Sequence, residues 1–131
     1  MLFRSVAYMN LWRWAESEAE IRRALDLNPN DVRAHWALAW WLMCHGRVEE
    51  ALASARRQRE LDPLGLSGES IIWTLFCARR YTEAIQEFQS RLAVQRDDGP
   101  ALWDLGWALI FNDQANEAIP VLKKEIGRAH V

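Results

Sequence analysis

The chain is short of the residues that punctuate a fold. Four prolines and six glycines in 131 residues are too few for many short strands and tight turns, so an all-α class is expected. Cysteine is scarce as well: Cys44 and Cys77 show no C-x-x-C spacing, which leaves no disulfide framework and no thiol-redox motif. A zinc site built from Cys44, His45 and Cys77 would lack the fourth ligand that tetrahedral zinc needs. No apolar run approaches the length of a membrane span, because Arg, Glu or His interrupts each one. The N-terminus also lacks the charged start, apolar block and small-residue cleavage site of a secretory signal. No membrane association is expected, and a reducing cytoplasm suits the free thiols. Neither sign of charge dominates: 16 basic and 18 acidic side chains give a formal charge of −2, with no basic patch to neutralise several phosphates, so direct nucleic-acid binding is not expected. Catalytic motifs are missing too. There is no G-x-x-x-x-G-K and no H-E-x-x-H, and Gly65-Leu66-Ser67-Gly68-Glu69 departs from the G-x-S-x-G elbow at Glu69. No enzyme activity and no cofactor are expected.

What the chain has in excess is tryptophan, eight in all: Trp12, Trp14, Trp36, Trp40, Trp41, Trp73, Trp103 and Trp107. It also has an internal period. Ala24-Leu25-Asp26-Leu27-Asn28-Pro29 aligns with Arg59-Glu60-Leu61-Asp62-Pro63, placing the two prolines 34 residues apart. Ala84-Ile85 and Ala118-Ile119 keep that spacing, while Ala51-Leu52 precedes Ala84-Ile85 by 33, so one residue is missing from the connection after Pro63. Within a unit, Ala34, Leu38 and Leu42 and then Ala51, Leu52 and Ala55 recur at helical spacing on either side of Gly46. The reading is helix, tight turn, helix. Gly46 suits the left-handed conformation that ends a helix, and Pro29 and Pro63 stop the second helices. Asn30 or Asp31, and Asp97 or Asp98 ahead of Pro100, are expected to cap the helices that follow.

These units resemble the tetratricopeptide repeat (TPR). Its small contact residues match Ala39 and Gly106 in first helices and Ala51, Ala84 and Ala118 in second helices, and Ala101-Leu102-Trp103-Asp104-Leu105-Gly106 followed by Asn116-Glu117-Ala118-Ile119 is a close match. Three positions depart from the pattern: Ile72 and Ser17 where a small residue or alanine is usual, and Arg91 where alanine is usual. The resemblance implies a right-handed solenoid of about eight helices in four repeats, about 1–29, 32–63, 66–96 and 99–125, within a single array over residues 1–125. The segments from Trp14 to Pro29, Gly46 to Pro63 and Trp73 to Ile85 look like the repeats of bacterial signalling proteins. Both terminal repeats read as incomplete, as in a fragment of a longer protein. Residues 126–131, Ile-Gly-Arg-Ala-His-Val, resemble translated sequencing-adapter sequence and are read as a non-native tail.

In this family the fifth, ninth, twelfth and thirteenth places of a repeat face the concave groove. That implies a partner-binding set of Trp36, Trp40, Met43 and Cys44, then Glu69, Trp73, Phe76 and Cys77, then Trp103, Trp107, Ile110 and Phe111. Large rigid rings make strong anchors for a bound peptide. The same rings could instead seal adjacent repeats, and Trp12, Trp14 and Trp41 are expected in the core or between helices. Cys44 and Cys77 hold equivalent places in neighbouring repeats, where helices stand roughly 8–10 Å apart, beyond disulfide reach, and are expected to be buried free thiols. His35 falls at a packing place. The paired arginines at 22–23, 56–57 and 79–80 are expected on a solvated face, with Glu18–Arg22 and Glu87–Arg91 spaced as i,i+4 pairs. Aromatic residues stand where some relatives carry the lysine and asparagine that clamp a C-terminal carboxylate, which disfavours chaperone-tail binding. The expected function is a protein-interaction scaffold for a peptide or partner domain. The alternative is a sensory domain that takes a small apolar or aromatic ligand between repeats.

Overall fold

The computed structural model describes residues 2–63 and 67–129, with the side chains of 4–63 and 70–127. All described regular structure is helical: α1 (Leu2–Asn10), α2 (Trp14–Leu27), α3 (Val32–Cys44), α4 (Val48–Leu61), α5 (Ser67–Cys77), α6 (Tyr81–Val94), α7 (Gly99–Phe111) and α8 (Ala115–Ala129). The chain divides into two compact units, Met1–Thr74 and Leu75–Val131, with the division inside α5. In the first unit α1 packs on α2 and α3 on α4, and α3 also lies against α1 and α2. In the second, α7 packs on both α6 and α8.

The hairpin turns share one backbone device. Trp12, Gly46, Arg79 and Asp113 all have a positive φ, between 59° and 71°. The amide of the following residue, at positions 13, 47, 80 and 114, donates to the carbonyl five residues back, on Tyr8, Leu42, Leu75 and Leu109, at 2.8–3.0 Å. The amide of the left-handed residue itself donates three residues back at 3.0–3.1 Å. This is the Schellman ending, which satisfies carbonyls that a helix C-terminus otherwise leaves open. Gly46 suits it without a Cβ penalty, while the other three turns hold the same conformation with residues that carry one. Trp12 is thereby carried to the hairpin tip, 77% exposed, with its ring edge-on to Trp14 at 5.6 Å. Its expected place in the core is corrected: a residue at this turn position projects into solvent.

A second series opens the second helices. Arg13, Arg47 and Arg80, each just before its helix, donate to Glu16, Glu50 and Glu83 at 2.6–2.9 Å, and Gln114 donates to Glu117 at 2.9 Å. The glutamates sit in the first turn, where negative charge meets the positive end of the helix dipole. The first helices α3 and α7 are capped conventionally. Asp31 accepts from the amides of Arg33 and Ala34, and Asp98 accepts from Ala101 with Pro100 in the first turn.

Small residues lie where helices meet. In the first unit Ser17 replaces a repeat alanine and is fully buried, and its hydroxyl donates to the carbonyl of buried Ser5 at 3.0 Å. The core there gathers Met9, Ile21, Ala37, Trp41, Leu42 and Ala51, with Trp14 and Leu38 packed against it. Trp41 is held by its indole N–H, which donates to the Trp14 carbonyl at 3.1 Å, and by stacking on His45 at 3.8 Å. His35 fills its packing place by reaching the Pro29 carbonyl at 2.9 Å and the Ser54 hydroxyl at 3.3 Å. In the second unit a Cβ on Gly106 would stand 2.4 Å from Leu122 Cδ2, so any larger residue there would force the Leu122 side chain of α8 to shift. Arg91 reaches Asp98 at 2.6 Å in a partly buried pair. The residue that breaks the alanine pattern thus ties the end of α6 to the cap of α7. Among the exposed arginines, Arg22 lies against Glu18 and Arg57 against Glu60 on their own helices, pairs of small energetic weight.

Candidate partner-binding surfaces

In the first unit, Trp36 and Trp40 are successive turns of one face of α3, and α5 brings Trp73 to the same place. All three are partly exposed, at 39%, 42% and 43%. With Met43 they line a cavity of about 150 Å³ whose deeper side is formed by Ala39, Ser70 and Thr74. Trp36 and Trp40 are near parallel, 24° apart, with centroids 6.4 Å apart. The two buried hydroxyls are turned inward: Ser70 donates to Gln58 Oε1 at 2.7 Å, and Thr74 donates to the Ser70 carbonyl at 2.7 Å. Four of the expected site residues therefore surround one concavity. Of the other two expected from this stretch, Cys44 is not among the lining residues and Glu69 has its side chain outside the described residues.

In the second unit the expected residues form a surface strip. Trp103, Trp107, Ile110 and Phe111 run along α7 with exposures of 46%, 41%, 37% and 53%. Trp103 meets Trp107 edge-on at 6.0 Å, Trp107 meets Phe111 at 6.1 Å, and Phe111 packs on both Phe76 (5.5 Å) and Tyr81 (5.7 Å). Tyr81 was not expected. It opens α6, a second helix, and no rule about first-helix places reaches it; its only sequence signal is an aromatic residue just after a hairpin turn.

Cys44 and Cys77 are exposed and in no disulfide, which corrects the expectation of burial. Each is the last residue of its helix, where the turn leaves the side chain uncovered. The partial cover that Cys77 retains pushes its pKa up. Among the described residues no group of three His, Cys, Asp or Glu could hold a metal ion, and no helix is long and apolar enough to cross a membrane.

Tandem hairpins with small contact residues and Schellman turns in register define an all-α helical repeat of the tetratricopeptide type. Solved structures carry this statement. A MamA protein superposes with a TM-score of 0.79 at 14% identity, covering 98% of this chain and 71% of that one. PilF of Pseudomonas aeruginosa does so with 0.79 at 18% identity, covering 95% of this chain and 58% of that one. MamA from Desulfovibrio magneticus RS-1 gives 0.75 at 17%, covering 94% and 70%. MamA and PilF contain tetratricopeptide repeats, and likeness at this identity establishes the fold. No family model matches the sequence, and no curated protein matches it.

Proposed function

We propose that the chain is a non-catalytic protein-interaction scaffold that takes a peptide or partner domain on its tryptophan-bearing faces. Residues 1–125 act as one array of four repeats inside a larger bacterial signalling or regulatory protein of the cytoplasm. On this reading the tail at 126–131 takes no part. The observation that carries it is the state of Trp36, Trp40, Trp73, Trp103 and Trp107. Five large indoles at matching places on first helices are left about two-fifths exposed, while alanine and leucine fill the cores beside them. An exposed apolar ring of that size is costly to leave in water and is the residue type that dominates binding hot spots. The structural relatives, as tetratricopeptide-repeat proteins, agree with a scaffold role.

Panning a displayed random-peptide library against the chain tests it. Selected peptides should lose at least about thirtyfold in affinity with Trp36→Ala or Trp107→Ala, the size of a hot-spot truncation. Peptides that bind both variants as well as the parent would refute the assignment. A second reading, recognition of a small ligand, is favoured at the concavity on α3, because a cavity rather than a strip is present there.

A further inference from the structure

We infer that the cavity between Trp36, Trp40 and Trp73 receives a quaternary ammonium group, the trimethylated nitrogen of a choline-type solute or of a peptide's trimethyllysine. The inference deepens the reading of the α3 face as a recognition surface and rests on it. Size is the first argument. A cavity of about 150 Å³ admits a group of about benzene's bulk, which a trimethylammonium head matches. Chemistry is the second. Three of the lining side chains are indoles, the aromatic system with the strongest attraction for a cation over its face, and Met43 adds a polarizable thioether. Both lining hydroxyls have committed their hydrogens inward, to Gln58 and to the Ser70 carbonyl, so what they offer the cavity is lone pairs. An electron-rich lining disfavours an anion. It also disfavours a primary ammonium, which is strongly hydrated and would bring three N–H donors to at most two hydroxyl oxygens. A quaternary ammonium has no N–H to satisfy, and its methyls accept the apolar contact of Ala39 and the indoles.

The test is calorimetric titration of the whole chain with choline and with its neutral isostere 3,3-dimethylbutan-1-ol, which has the same shape without the charge. Choline should bind about tenfold tighter, the scale of a desolvated cation–π interaction. Trp40→Leu and Trp73→Leu should erase the preference, Trp40→Phe should leave an intermediate one, and Trp103→Leu should leave it intact, with helical circular dichroism unchanged in each. A peptide bearing trimethyllysine, compared with the same peptide bearing plain lysine, separates the sources. Preference for the methylated peptide without choline binding assigns a side chain, and choline binding alone assigns a free solute. Equal binding of choline and its isostere, with no preference for the methylated peptide, would overturn the inference in favour of a merely apolar hollow. So would the binding of neither choline nor the methylated peptide. Tryptophan-dependent capture of library peptides that survives either of those results would leave the scaffold reading standing and remove only this one.

Discussion

The faces of α3 and α7 begin from the same sequence idea and end as different surfaces. Each carries tryptophans four residues apart, Trp36 and Trp40 on one, Trp103 and Trp107 on the other, in matching register. Four residues on, α7 continues with Phe111, which bridges Trp107 to Phe76 and Tyr81 and turns the row into a packed strip. At the corresponding place α3 ends with Cys44, a small exposed side chain, and its two rings stay near parallel beside a cavity. The hollow also needs α5, whose Ser70, Trp73 and Thr74 complete its lining. The lesson is that spacing locates a row of exposed rings, while the residues packed beside the row give it its shape.

The comparison can be tested through the contacts that hold each helix. The largest effect is expected at Gly106, whose added Cβ would meet Leu122: Gly106→Ala should cost about 1–3 kcal/mol in urea unfolding, the range for overpacking. The matched change Ala39→Gly should cost only about 0.5–1 kcal/mol, from backbone entropy. Equal losses at the two sites would show that α7 and α3 are seated alike. Next come the caps. Asp98→Ala removes both the cap and the partner of Arg91 and should cost about 2 kcal/mol, against about 1 for Asp31→Ala, which removes a cap alone. If the two match, the Arg91 pair is without weight.

At the turns, Gly46→Ala should lose about 1–2 kcal/mol by imposing a Cβ on a left-handed residue. Arg79→Gly should gain about 0.5 kcal/mol, the relief offset in part by glycine's entropy. A stabilised Gly46→Ala protein would contradict the shared turn. The smallest effect concerns acid. Hydrogen bonding from Arg47 holds Glu50 below the usual carboxylate range. Because the folded value is the lower one, the pair's contribution is present at neutral pH. It is lost as pH falls from the usual carboxylate range through Glu50's own value. Carboxyl NMR titration should find Glu50 restored to the usual range in Arg47→Gln, with little change in unfolding midpoint because the pair is exposed.

Much of the helical plan was legible because it rests on residues with a single backbone consequence. Pro29 and Pro63 lie just beyond the ends of α2 and α4, and the cap candidates narrowed to Asp31 and Asp98. The exposed tryptophans of α3, α5 and α7 were legible through repeat register. The other features were hidden for physical reasons. Trp12 and Arg79 occupy a left-handed conformation that their types do not announce, because tertiary packing of the hairpin overrides local preference. The exposure of Cys44 and Cys77 follows from where their helices stop, and boundaries are the weakest part of a periodicity argument. The cavity depends on Ser70 and Thr74 arriving from α5, and no pattern within α3 could show that.

The turn series has one more consequence. From hairpin to hairpin the left-handed residue is tryptophan, glycine, arginine and aspartate, yet it recurs at intervals of 34, 33 and 34, and so does the hydrogen bond that follows it. What is copied along this chain is torsion and spacing, while the letters drift. A likeness held in that way is invisible to any comparison that scores letters and plain to one that overlays backbones.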